Sequence, residues 1–268
     1  MSDIKRAKRI VIKVGTSTLT YATGHLNLRR VERLVKVLAD IRNSGREVLL
    51  VTSAAIGVGG GLLGLRERPQ DIGGRQAAAA VGQCELMYTY DRLFGEYGQH
   101  VAQLLLTRDV VEEGIQRQNV VNTLSQLLTW NVLPIINEND TIATEELEGS
   151  RIGDNDTLSA IVATLADAQG LILLTDIDGL YDADPRTNAD AKRIPVVRDI
   201  DDALLEQVGG AGSNRGTGGM RTKLQAARIA QAAGIPTVIM QGERPQLLYD
   251  LLEGKDVGTL ITAAEGSK

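Results

Sequence analysis

The sequence predicts an α/β protein built on a mostly parallel sheet with helices on both faces. Three observations carry this. Short apolar runs alternate with helix-period segments along the whole chain. The runs are nearly all apolar, as strands buried on both faces are. No internal repeat or low-complexity linker interrupts the alternation, so a single domain over 1–268 is the simplest account.

The elements follow in order. Ile10–Val14 reads as a buried strand. The basic stretch before it reads as a short exposed leader, because it reaches no apolar run of signal length and no small-residue cleavage site. Asn27 can cap a helix in which Val31, Leu34, Val35, Leu38 and Ile41 share one face, and Ser44-Gly45 ends it. Val48–Thr52 is the next strand. A long helix fits Gln76–Tyr97, then a strand at Val101–Leu106. Gln118–Trp130 reads as a helix and Val132–Ile136 as a strand. Asp154–Ala168 is a helix and Leu171–Thr175 a strand, with turns at Asp184-Pro185 and Thr187-Asn188. Met220–Ala233 is a helix closed by Gly234. Thr237–Met240 is a strand, Pro245–Leu252 a helix, and Thr259–Thr262 an edge strand.

Composition excludes several functions. The chain has 268 residues and a net charge of −5, which gives no electrostatic footprint for nucleic acid. Aromatic residues make up 3 %, so base-stacking platforms are not expected. The single cysteine, Cys84, cannot form an internal disulfide, and no Cys/His cluster has zinc spacing. His25 and His100 stand far apart and read as packing or surface residues. No apolar stretch reaches membrane-spanning length, so a cytoplasmic protein without membrane partners is expected.

In a parallel sheet of this kind ligands gather beyond the carboxyl ends of the strands. The first strand ends in Lys13-Val14-Gly15-Thr16-Ser17. A lysine inside an apolar run is costly without a partner. It is either a snorkelling lysine on an edge strand or a cation aimed at phosphate oxygens, with Gly15 letting the backbone approach. The second strand ends in small residues, Thr52 to Gly57, whose backbone N–H groups suit an anion. Gly59-x-Gly61-x-x-Gly64 matches the dinucleotide pattern but lies too far past the strand and lacks the acidic partner, so it is a chance match. Asn137-Glu138-Asn139-Asp140 falls at the ligand edge. Gly153-Asp154-Asn155-Asp156 opens a helix with more acid and amide than one cap requires. Thr175-Asp176 ends the fifth run. Gly209–Gly219 is glycine-rich and runs through Thr217, Gly218 and Gly219 into Met220-Arg221-Thr222-Lys223, a basic helix start that an anionic ligand would stabilise. No Walker A sequence occurs. Two lysines, two small-residue turns and one buried-looking acid suit phosphoryl transfer, which needs positioning and charge neutralisation more than a protein nucleophile.

The segments IKVGTS (12–17), VTSAAI (51–56), LLLTR (104–108), PIINEND (134–140), GDNDTLSA (153–160), LLTDIDGLYDADP (173–185) and GTGGMRTKLQA (216–226) resemble the glutamate 5-kinase branch of the amino acid kinase family, in family order over nearly the whole chain. The resemblance implies a three-layer αβα sandwich. It implies ATP, L-glutamate and magnesium (Mg2+) as ligands and γ-glutamyl phosphate as product, the first step of proline synthesis. Lys13 and Lys223 would stabilise the transferring phosphoryl group and Asp156 would orient both. Ser53, Asp140 and Asn155 would hold glutamate. Lys13, Thr175, Asp176 and Thr217 through Lys223 would bind ATP. No side chain is assigned to the metal. A homo-oligomer and feedback by proline are further expectations.

Two departures stand out. Ala54 occupies the place where the family has glycine, which puts a Cβ where backbone approaches ligand. There is also no room for the C-terminal PUA domain that many members carry. The rivals are another kinase of the same family, acting on acetylglutamate, aspartate or UMP, and a non-catalytic nucleotide sensor.

Overall fold

The computed structural model describes residues 1–107, 114–142, 155–208 and 219–264. The chain opens with α1 (Ser2–Arg6), β1 (Arg9–Val14), α2 (Thr16–Leu19), α3 (Leu28–Asn43) and β2 (Glu47–Val51). It continues through α4 (Ala55–Leu62), α5 (Ile72–Gly95), β3 (Val101–Leu106), α6 (Ile115–Thr129) and β4 (Leu133–Glu138). Then come α7 (Asn155–Leu165), β5 (Gly170–Thr175), β6 (Leu180–Tyr181), β7 (Arg193–Ile194), β8 (Val196–Val197) and α8 (Asp202–Gln207). The last elements are α9 (Met220–Ala232), β9 (Thr237–Gln241), α10 (Leu247–Glu253) and β10 (Gly258–Ile261).

Among the described residues the main sheet has eight strands in the order β3-β4-β2-β1-β5-β9-β10-β8. The pairs from β3 through to β9 are parallel and β10 runs antiparallel to β9. Side chains alternate across this sheet. Ile10, Ile12 and Val14 of β1 pack into a core with α1, α3, α5 and α10. Val11 packs on the opposite side with α6, α7 and α9. The architecture is therefore the three-layer αβα sandwich that the resemblance implies.

Local chemistry explains the boundaries. Asn27 caps α3, its side-chain oxygen accepting from Arg30 N at 3.2 Å. The long helix begins at Ile72, earlier than the periodicity suggests, because Asp71 caps it through Gly74 N at 2.7 Å. No helix is foreseen at Ala55–Leu62, where four glycines weaken intrinsic propensity. It is held by close packing on α5: a Cβ on Gly82 would stand 1.9 Å from Ala55 O, and one on Gly59 would stand 1.8 Å from Ala78 O. The Gly59/Gly61/Gly64 pattern thus belongs in part to helix contact and not to a dinucleotide.

Two expectations are corrected. The leader is not simply exposed: Ser2–Arg6 is a helix whose Ile4 is fully buried, since an apolar residue among basic ones can anchor a short turn on the core. The strand at Gly258–Ile261 is not an edge, because β8, too short to read from periodicity, pairs beyond it. No helix among the described residues is long and apolar enough to cross a membrane.

Candidate active site

The strand order decides where a ligand can lie. The chain leaves β1 toward β2 on one side, and it leaves β5 toward β9 on the other. A crevice therefore opens between the carboxyl ends of the adjacent β1 and β5. Lys13 stands there, in register with Val51 of β2 and Leu173 of β5. Strand β1 is central, so Lys13 is not a snorkelling edge lysine. Alternation places it on the Val11 side, the side that α7 and α9 cover.

Asp156 meets it from the first turn of α7. Lys13 Nζ lies 2.6 Å from Asp156 Oδ1, and Lys223 Nζ, from the first turns of α9, lies 3.1 Å from Oδ2. The two lysines are each 5 % exposed and the aspartate is fully buried. Thr222 Oγ1 also lies 3.1 Å from Oδ2. Burial pushes the Asp156 carboxyl upward, but the neighbouring Lys13 and Lys223 ammonium groups outweigh it by charge and hydrogen bonding. The carboxyl is held well below the usual carboxylate range. The N-termini of two packed helices, α7 and α9, adjoin this cluster, and no side chain caps α9. Dipoles and ammonium groups together make the crevice attractive to an anion.

A second cluster lies beside the first, at the ends of β2 and β4. Asn155 Nδ2 donates to Ser53 Oγ at 3.0 Å and to Asn137 Oδ1 at 3.1 Å. Asn137 Nδ2 donates to Gln83 Oε1 of α5 at 2.8 Å. Ser53 leads into Ala54, whose φ of 91° is left-handed and which caps α4 without a side-chain bond.

An open cleft of about 730 Å³ extends past Lys223. Thr175 and Asp176 of the β5 end, Leu180 and Tyr181 of β6, and Gly219 and Met220 of the α9 start help to line it. The wall formed by β6 and β7 is tied to the sheet by Thr259, whose Oγ1 accepts from Leu180 N at 2.8 Å and donates to Ile194 O at 2.6 Å.

The structure brings Lys13, Lys223 and Asp156 together, joins Ser53 to Asn155, and sets Thr175, Asp176, Gly219, Met220 and Lys223 around one cleft. Thr222 turns to Asp156. Asp140 is half-buried in the turn after β4. Arg221 is exposed and does not line the cleft. Thr217 and Gly218 lie outside the described residues. Gln83 is not singled out by the sequence, and Asn137 is marked only within the 137–140 stretch at the ligand edge, with no role of its own. An amide at the end of an apolar strand was the available signal for Asn137, which is 1 % exposed. Gln83 sits within an ordinary helix and gave none.

Fold and site together define an αβα sandwich with a cationic crevice at its switch point and an adjoining open cleft. A model of the amino acid kinase family matches residues 8–241, and the chain belongs to that family. It is 54 % identical over 264 residues to the glutamate 5-kinase of Clostridium perfringens, covering 98 % of each chain. It is 52 % identical over 259 residues to that of Symbiobacterium thermophilum, covering 97 % of each. Among solved structures it resembles the UMP kinase of Bacillus anthracis, with a TM-score of 0.65 at 18 % identity over 96 % of each chain. The UMP kinase of Ureaplasma parvum gives 0.66 at 17 % identity, over 96 % of this chain and 99 % of that one. At such identities the likeness is one of fold.

Proposed function

We propose that this chain transfers the γ-phosphoryl group of ATP to the side-chain carboxylate of L-glutamate, giving γ-glutamyl phosphate for proline synthesis. The observation that carries this reading is the pair of buried lysines on one buried aspartate at the switch point. Identity above 50 % to glutamate 5-kinases over almost the full length selects the acceptor.

ATP lies in the cleft past Lys223, with its phosphates directed at Lys13, Lys223 and the start of α9. The glutamate γ-carboxylate attacks the γ-phosphorus in line, and ADP leaves. The carboxylate is already ionised near neutral pH, so no general base is needed. Lys13 and Lys223 neutralise charge on the transferring group and Asp156 holds both in place. Ser53, Asp140 and Asn155 orient glutamate. Among the described residues no cluster of three His, Cys, Asp or Glu is placed to hold a metal. Magnesium would arrive with ATP, held by the nucleotide rather than by these cationic side chains, and would supply further charge neutralisation.

The test is a coupled assay of ATP consumption with L-glutamate, acetylglutamate, aspartate and UMP. Turnover is expected with L-glutamate, and phosphorylation of UMP but not of glutamate would overturn the choice. Lys13→Ala and Lys223→Ala should lower kcat far more than they raise KM for glutamate. Near-normal kcat in both variants would remove the assignment.

A further inference from the structure

The amide cluster beside the lysines has a fixed hydrogen-bond polarity. Glu138 N is a backbone donor, and it donates to Asn137 Oδ1 at 2.9 Å. A backbone N–H cannot reverse its role, so Asn137 must present its oxygen on that side and its Nδ2 toward Gln83. Asn137 Oδ1 also receives Asn155 Nδ2. Turning Asn155 over would set oxygen against oxygen, so its orientation is fixed in turn. Asn155 Nδ2 then fills a lone pair of Ser53 Oγ. Two consequences follow. The Ser53 hydroxyl proton is directed away from Asn155. Asn155 Oδ1 is buried and, among the described residues, has no partner. A buried orphan acceptor costs stability unless a ligand donor reaches it.

We infer that Gln83 is a positioning residue for amino-acid recognition: by accepting from Asn137 it locks the amide chain so that Asn155 Oδ1 faces the substrate's α-ammonium group. This rests on the reading that the acceptor is glutamate. Gln83 is buried on α5 and in this reading acts through Asn137. Its oxygen is the only group seen to hold Asn137 Nδ2 among the described residues. Without it that buried donor is orphaned, and turning Asn137 to relieve the cost would break both bonds at Oδ1.

Gln83→Met keeps the length and volume of the side chain but removes the acceptor. It should raise KM for L-glutamate about 10-fold, the size of one lost buried hydrogen bond. KM for ATP and kcat should stay within about 3-fold. The inhibition constant of glutarate, the same dicarboxylate without the ammonium, should also stay within about 3-fold, because it makes no bond to Asn155 Oδ1. Gln83→Glu keeps an acceptor facing Asn137 and should restore the KM for L-glutamate. An unchanged KM for L-glutamate in folded Gln83→Met overturns the inference. So does an equal loss for glutarate, which would mean general damage. An equal loss in Gln83→Glu also overturns it, since the Nε2 donor would then be the group that matters. If Gln83→Met does not fold, the same comparison is read on Gln83→Asn, whose amide is one methylene shorter. A wild-type protein that fails to phosphorylate L-glutamate would overturn the function proposed above. With wild-type turnover intact, these outcomes bear on Gln83 alone.

Discussion

Lys13 engages Asp156 through Oδ1 at 2.6 Å, and so leaves Oδ2 to Lys223 at 3.1 Å. One carboxylate from α7 thereby fixes two ammonium groups brought from the first strand and from the ninth helix. Removing its charge leaves both cations buried without that partner. Asp156→Asn should lower stability by about 3 kcal/mol, the cost of breaking a buried ion pair from one side. In the proposed reading ATP phosphates supply negative charge to the same cations, so saturating ATP should raise the Tm of the variant more than that of the wild type. Thermal melts with and without ATP measure this, and equal shifts in both proteins would count against the shared-carboxylate account.

The pH dependence of the same pair has a defined sign. The folded-state pKa of Asp156 is lowered relative to an unfolded carboxyl near ~3.9. A lowered pKa gives stability that is fully present above the unfolded value and is lost as pH falls toward the folded one. The stability difference between wild type and Asp156→Asn should therefore be flat from neutral pH down to about 5 and shrink below about 4. Denaturant midpoints across that range check it. A difference that shrinks between neutrality and about pH 6 would assign the effect to another group.

Ala54 carries a φ of 91° next to Ser53. An L-residue in the left-handed region costs about 1–2 kcal/mol. Glycine relieves this but adds unfolded-chain entropy worth about 0.4–1 kcal/mol. Ala54→Gly should raise Tm by about 2 °C. Ala54→Val, with a β-branched side chain at the same φ, should lower stability by more than ~1 kcal/mol. Melting curves of the two variants should move in opposite directions.

Much of this was legible in the sequence, for physical reasons. Strands buried on both faces leave continuous apolar runs, so β1, β2, β4, β5 and β9 could be read nearly to their ends, and the half-exposed β3 followed from its apolar composition. Lys13 announced itself because an ammonium group is out of place in such a run. Elements held by tertiary contact left no local mark. Helix α4 reads as a glycine-rich loop until α5 is packed on it. Strands β6, β7 and β8 are two residues each, too short for a period. Gln83 joins the site only because α5 crosses the end of β4.

That crossing makes a sharp demand on one glycine. A Cβ on Gly82 would lie 1.9 Å from Ala55 O and 2.4 Å from Gly59 N, both backbone atoms. Neither can rotate aside, so α4 and α5 must separate. Gly82→Ala should destabilise by about 3 kcal/mol, the upper end of overpacking. Because α4 starts beside Ser53, KM for glutamate should rise more than KM for ATP. Equilibrium unfolding and steady-state kinetics test the two halves. A silent Gly82→Ala would mean that the helices have slack.

The cleft past Lys223 depends on a residue that lies outside it. Thr259, fully buried on β10, accepts from Leu180 N and donates to Ile194 O, and so ties both strands of the small ribbon to the main sheet. Gly179 just before has a φ of 158° and fits against Thr259 so closely that a Cβ there would lie 2.7 Å from its hydroxyl. Thr259→Val keeps the shape but removes both bonds, orphaning a buried N–H and a carbonyl at about 1–3 kcal/mol each. Leu180 and Tyr181 line the cleft, so the loosened ribbon should weaken ATP binding. KM for ATP should rise about 5-fold, while KM for glutamate stays near the wild-type value because Ser53 and Asn155 lie on elements the ribbon does not hold. Thr259→Ser, which keeps the hydroxyl, should restore the affinity. A rise in both KM values together, or no rescue by serine, would show that Thr259 acts on the whole fold rather than on the cleft wall.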